Sequence, residues 1–265
     1  MQTRDIITFY LGPMKAYIVS GPHNVQAMFR KSAALSSDKF LIMVMSSVMC
    51  FTSEDHAKFV ADKTGRLEEP REGTIASHKG PRVWQGFHNN FVDNLSRSNA
   101  TSALTAAFYR FFQAKVQDYP LGEWTTVNLF DFMRTKMAAA ATKAVVGEKI
   151  LEQNGEAAFV RAFWEYDRVT MRLVYALPKW IDPEPWRIRD HFHHMGVRHV
   201  KENFDTADHD SEPDVDWHPV LGLRFIREYL KWGKRIGLSA ETRAGYFIGF
   251  MTGCVAALGS ILGVR

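Results

Sequence analysis

Four histidines crowd one short stretch, His191, His193, His194 and His199 in HFHHMGVRH. Imidazole is a common metal ligand. On a helix His191 and His194 share a face at i,i+3, and His199 falls off it. A metal site needs ligands converging from one face and from elsewhere, so the spacing favours a solvated helix face and no metal. DHDSEPDVD alternates acids as part of a calcium loop does. Pro213 stands where such a loop needs glycine, and the closing glutamate is missing. The stretch reads as a charged surface loop. Cys50 and Cys254 lie far apart in apolar surroundings, which argues against a disulfide framework and for a reducing compartment. A reactive thiolate needs an electropositive setting, and Cys254, within the small-residue helix, has none, so it reads as an inert packing residue. No G-x-S-x-G elbow, Walker loop or Rossmann glycine signature occurs. His88 remains, on an apolar-faced segment. It can offer a hydrogen bond to a carbonyl or carboxylate, or it can be a satisfied histidine of a helix face.

The elements that must position these groups are mostly helical. IITFYLG and KAYIVSG flank Gly12-Pro13 and predict a β-hairpin. Ser53 predicts a helix start, with Glu54 and Asp55 in the first turn. Residues 65–81 are rich in Gly, Pro and Glu and read as a loop. Helices are expected over 83–95, 99–116, 129–146 and 156–177, with a short strand at 124–127. The stripe of the 156–177 helix is Phe159, Phe163, Tyr166, Val169, Thr170 and Leu173. Arg161, Glu165, Arg168 and Arg172 form a solvated ion-pair row on it. A proline-rich link leads to a further helix ending near Phe204, an acidic loop, and two closing helices at 221–236 and from 239 onward.

The 265 residues are 46% hydrophobic with a net charge of +4. That suffices for one large core, and residues 1–265 are read as a single domain. Basic residues are interspersed with acids, and the stripe that nucleic acid demands is missing. Residues 244–264 carry no charge and reach membrane length. Their small residues at i+4 spacing, Gly245, Gly249, Gly253 and Ala257, favour a buried core helix with a close neighbour.

The order of these segments resembles the N-terminal half of a fungal cytochrome P450, of the subgroup related to sterol 7α-hydroxylases and prostacyclin synthase. YLGPMKAYIVSGPHNVQAMFRKS is similar to the first sheet strands and the helix after them. VWQGFHNNF resembles the C helix with its W-x-x-x-[RH] pair, here Trp84 and His88. EWTTVNLFDFMR, AFWEYDRVTMRLVYALPKW and the final helix resemble the approach to helix E, helix F and the start of helix I. The resemblance implies a mainly α fold, a truncated P450-like helical domain with a small N-terminal hairpin.

FMTGCVAALG matches the family's haem-cysteine loop F-x-x-G-x-x-x-C-x-G except for Ala257 at the cysteine. Its uncharged helical setting belongs to the I-helix region, so the match is accidental. Glu184 to Arg187 fits E-x-x-R, but between two prolines ahead of the G-like helix it is a coincidence as well. The family's downstream haem apparatus and N-terminal anchor have no counterpart in the sequence. A P450 haem needs an axial thiolate and a second half of protein, so the expectation is a haem-less chain with no cofactor and no monooxygenation.

In the family the B–C region, helix F and helix I line the substrate pocket. The resemblance therefore implies walls from Trp84, Phe87, Phe163, Tyr166, Phe247, Phe250, Met251 and Cys254, with His88 and then Thr252 as hydrogen-bond donors. The expected function is a cofactor-independent cyclase acting on a lipophilic terpenoid or polyketide precursor; the alternative is a non-catalytic lipophile-binding or partner protein. The expected location is cytoplasmic. Peripheral contact with the endoplasmic reticulum membrane through Trp180, Ile181 and Trp186, and a homodimer, stay open.

Overall fold

The computed structural model describes residues 6–11, 14–30, 37–96, 99–120, 122–175, 177–207 and 214–261, and no side chain from 252 onward. The chain divides into two compact units, residues 1–41 and 42–265.

The first unit holds the predicted hairpin. Strands β1 (Ile6–Leu11) and β2 (Met14–Val19) pair antiparallel, from Ile6 opposite Val19 to Leu11 opposite Met14. The connecting Gly12 and Pro13 lie outside the described residues. Gly21 has φ +87°, and Pro22 opens helix α1 (Pro22–Arg30), where its missing N–H costs nothing.

The second unit is helical. Its elements are α2 (Asp38–Ser47, begun in the first unit), α3 (Ser53–Ala61), α4 (Val83–Phe91), α5 (Ala100–Gln117), α6 (Leu129–Phe132), α7 (Ala138–Val146), α8 (Lys149–Asn154), α9 (Glu156–Val174), α10 (Pro183–His199), α11 (Arg224–Arg235) and α12 (Ala240–Ile261). The fold is mainly α with a small hairpin, as expected. Three helices run on through π-helical turns, at Val92–Ser96, Met133–Met137 and Val200–Phe204.

Some details differ from the sequence reading. Thr52, not Ser53, caps α3, its hydroxyl accepting from the Asp55 N–H at 3.3 Å. Residues 124–127 form no strand, and Trp124 and Val127 are exposed, with no strand among the described residues to pair with them. A two-residue hairpin, β3 (Trp217–His218) with β4 (Gly222–Leu223), precedes α11. It is held where a Cβ on Gly222 would lie 2.1 Å from the Val145 carbonyl oxygen.

The stripe on α9 is buried as its spacing predicts, with Phe159, Phe163, Tyr166, Val169 and Leu173 in the core. The row on its outer side behaves otherwise. Arg172 pairs with Asp182 at 2.6 Å and Glu184 at 2.7 Å, and Arg168 with Glu184 at 3.0 Å. These ion pairs pin α9 to the start of α10 instead of running along α9, because the proline-rich link returns acids to that end. Helix α12 packs most extensively against α10. Its glycines meet the turn after α2: a Cβ on Gly245 would lie 1.6 Å from the Met49 carbonyl oxygen. Among the described residues no helix is long and apolar enough to cross a membrane.

Candidate functional site

Helix α4 presents Trp84, Phe87, His88 and Phe91 at spacings of three and four, which fall on one side of a helix. Helix α11 brings Phe225, Tyr229 and Trp232, and α12 brings Tyr246 and Phe250. They form one aromatic cluster. Phe87 lies 4.9 Å from Tyr246 and 6.4 Å from Phe91, and Phe91 lies 5.7 Å from Phe250 and 4.9 Å from Phe225. Most of these contacts are edge-to-face, the geometry that the ring quadrupole favours. Gly86 allows the approach of α4 to α11, since a Cβ there would fall 2.3 Å from Trp232 Nε1.

Trp84 is fixed to its neighbours. Its backbone N–H donates to Asp62 Oδ2 at 3.1 Å and its indole Nε1–H to the Phe59 carbonyl at 2.9 Å. His88 lies one turn on from Trp84 and is half-buried. Tyr229 and Tyr246 stack at 3.5 Å, and both hydroxyls are buried with no hydrogen-bond partner among the described residues. Burial pushes both phenols well above their ordinary pKa.

A second cluster joins α9, α10 and α12. Phe192 lies 5.2 Å from Phe159, 6.0 Å from Phe163 and 5.2 Å from Tyr166. The Tyr166 hydroxyl donates to the Val48 carbonyl at 3.0 Å. Phe247 sits edge-on to His199 at 6.2 Å. His199 is buried, its Nδ1 3.1 Å from Gln153 Oε1, and burial lowers its pKa to about 4. His193 Nε2 meets the Glu241 carbonyl at 2.8 Å, and burial lowers its pKa too. The expectation of one solvated histidine face therefore holds for His191 and His194, which are exposed, and fails for His199 and half-buried His193. The helix turns that pair toward α12. No group of three or more His, Cys, Asp or Glu able to hold a metal occurs among the described residues.

The sequence-predicted residues thus fall into two clusters joined through α12: Trp84, Phe87 and Phe250 in the first, Phe163, Tyr166 and Phe247 in the second. Met251 is fully buried. The side chains of Thr252 and Cys254 lie outside the described residues. Tyr229, Tyr246, Phe91 and Phe225 were not among the predicted site residues. The spacing of Phe225, Ile226, Tyr229 and Leu230, all buried, is an amphipathic signal that could have found the α11 wall.

The chain is similar to the cytochrome P450 monooxygenase calL of Penicillium decumbens, 38% identical over 257 residues, 95% of this chain and 47% of the relative. It is also similar to the cytochrome P450 monooxygenase fsoE of Humicola fuscoatra, 30% identical over 132 residues, 49% of this chain and 22% of the relative. The chain is cytochrome P450-like. It spans less than half the length of either relative. No family model matches it, and no solved structure does.

Haem, the group implied by P450 relatives, needs an axial thiolate and donors for its carboxylates. The described residues of the P450-like chain do not fit it. The thiol of Cys50 is pushed up to about 12 by burial, so it is neutral, and the indole donor of Trp84 is held by Phe59. In Glu184 to Arg187 the carboxylate pairs with Arg168 and Arg172 of α9, so the match to E-x-x-R is a coincidence here.

Proposed function

We propose that this chain is a P450-derived, haem-less scaffold that cyclises a lipophilic natural-product precursor, in a pericyclic, Diels–Alder-type step on a terpenoid or polyketide. The observation that carries the reading is the aromatic cluster linking Phe87 of α4 to Phe250 of α12 through Phe91, with His88 beside it in α4. A concerted cyclisation exchanges π bonds for σ bonds within one substrate. It needs no nucleophile and no redox partner. It needs a reactive molecule folded into a near-attack geometry and a dry wall around it. His88 is the first candidate to donate a hydrogen bond to the carbonyl that activates the dienophile, and Thr252 the second.

The proposal leaves haem aside because the thiol found among the described residues, Cys50, is neutral. The second reading, lipophile binding without catalysis, draws support from the same hydrogen bonds. The Trp84 and Tyr166 donors both go to backbone carbonyls, so neither is left to activate a substrate. The test is the cyclisation rate of reactive diene–dienophile precursors with wild type, His88→Ala, Phe250→Ala and buffer. The cyclase reading expects acceleration by wild type, a loss of tenfold or more in His88→Ala, and eroded product selectivity in Phe250→Ala. Tight binding with the buffer rate would establish the carrier instead.

A further inference from the structure

We infer that the outward side of α9 carries a second ligand site, for a molecule with one carboxylate on an apolar body. A cavity of about 540 Å³ opens between the π-helical turn at Met133–Met137 and the first turns of α9. That volume lies within the ~300–1,000 Å³ usual for small-molecule sites. Its apolar part comes from Val160, at the edge of the core, and from Trp164, whose ring lies 5.0 Å from that of the core residue Phe163.

The cationic group there is arranged for recognition. The guanidinium of Arg134 lies 4.8 Å from the ring of Trp164 and 5.1 Å from the ring of Phe130. The Trp164 indole N–H donates to the Arg134 carbonyl at 2.8 Å, so the ring and the π-helical turn are held together. Aromatic contact orients a guanidinium while leaving its N–H donors for a planar bidentate acceptor. Neither Arg134 nor Arg161, which also lines the cavity, has an acid within ion-pair distance among the described residues.

The acids at this site limit the charge it accepts. Glu156 is neutralised by Lys115 at 2.6 Å and Lys143 at 3.3 Å. Asp131 and Glu165 also line the cavity and would repel a dianion. A single carboxylate facing Arg134 and Arg161, with its apolar body on Trp164 and Val160, satisfies both constraints. Trp164 touches Phe163 of the second aromatic cluster at 5.0 Å, but the first cluster, with Phe87, His88 and Phe250, shares no residue with this cavity, so the inference stands apart from the cyclase reading.

The test is calorimetric titration of the full chain with 2-naphthoate, 2-naphthamide and inorganic phosphate. The expected result is one site for 2-naphthoate, at least tenfold weaker binding of the neutral amide, and no binding of phosphate. Arg134→Gln and Arg161→Gln should each weaken 2-naphthoate at least tenfold, Arg134→Lys should fall between wild type and Arg134→Gln, and Arg235→Gln should leave it unchanged. Thermal melts of each variant confirm that it is folded. Equal affinity for acid and amide, phosphate binding as tight as that of 2-naphthoate, no binding of 2-naphthoate, or arginine variants that are folded and bind as wild type would each overturn the inference. Phe250→Ala changes the aromatic cluster and leaves this cavity intact, so 2-naphthoate affinity should survive in it whether or not cyclisation is found.

Discussion

At the scale of single residues, burial sets the chemistry. His199 has its pKa lowered to about 4 from an ordinary 6.5, because the ring is taken from water. Between those values the unfolded chain binds a proton that the folded chain refuses. Stability from this group is full above pH 6.5 and falls as pH drops toward 4, by roughly 3 kcal/mol at the low end. Thermal melts from pH 7.5 to 4.5 should show this loss, and His199→Gln should flatten the slope whatever it does to the melting temperature at pH 7.5. His88 and His199 both sit on helices, and their surroundings differ for a reason sequence does not carry. The face of α10 that holds His199 is covered by α12, while His88 stays half-buried.

At the scale of elements, two contacts join α12 to distant sequence. Asp55 of α3 accepts from the Ser239 N–H at 2.9 Å and its hydroxyl at 2.6 Å, and from Lys58 at 2.7 Å. Burial raises the pKa of this carboxyl; the hydrogen bonds from Lys58, Ser239 and Thr242 outweigh burial and hold it at about 2. Its contribution, about 2 kcal/mol, is present above the unfolded value of 3.8 and is lost as pH falls through 2. Asp55→Asn should therefore lower stability by about 2 kcal/mol at pH 7 in urea unfolding. The double mutant with Ser239→Ala should show coupling above ~0.5 kcal/mol.

The glycines of α12 give a contrast in the same units. A Cβ on Gly245 meets the backbone oxygen of Met49 at 1.6 Å, whereas one on Gly249 meets the flexible Met49 side chain at 2.6 Å. Gly245→Ala should cost ~3 kcal/mol or more, and Gly249→Ala ~1 kcal/mol, because a side chain can move aside and a carbonyl cannot. Equal costs would mean that α12 does not sit against Met49.

At the scale of the whole molecule, a ligand held between α4, α11 and α12 should stabilise the fold by mass action. A lipophile present at a hundred times its dissociation constant adds about 2.7 kcal/mol, visible as a raised melting temperature. Phe250→Ala should shrink that shift, while Arg134→Gln, in the outer cavity, should leave it unchanged. A shift that both variants preserve would place the lipophile elsewhere. The two kinds of ligand proposed here, a neutral precursor and an apolar monocarboxylate, are thus separable on one protein.

What the sequence determined by itself is periodic or local. The hairpin, the long helices and the stripe from Phe159 to Leu173 follow from alternation, from 3.6-residue spacing and from breakers such as Pro178. The order of these segments was enough to indicate the similarity to fungal cytochromes P450 that the relatives bear out. The buried faces of α4, α9 and α12 were legible, and with them the burial of Trp84, Phe163, Tyr166, Phe247 and Met251, whereas that of α10 was not, since His193 and His199 turn inward. Which faces meet was decided only by the tertiary structure. Periodicity says that Phe247 and Phe250 are apolar, but only the packing of α12 sends Phe247 toward His199 and Phe250 toward Phe91 and Phe225. Likewise Gly245 and Gly249 announced a close neighbour, and the long-range contact that makes it Met49 depends on a turn nearly two hundred residues away in the chain. Local sequence sets the direction of a side chain relative to its own helix, whereas its partner depends on how the chain closes on itself.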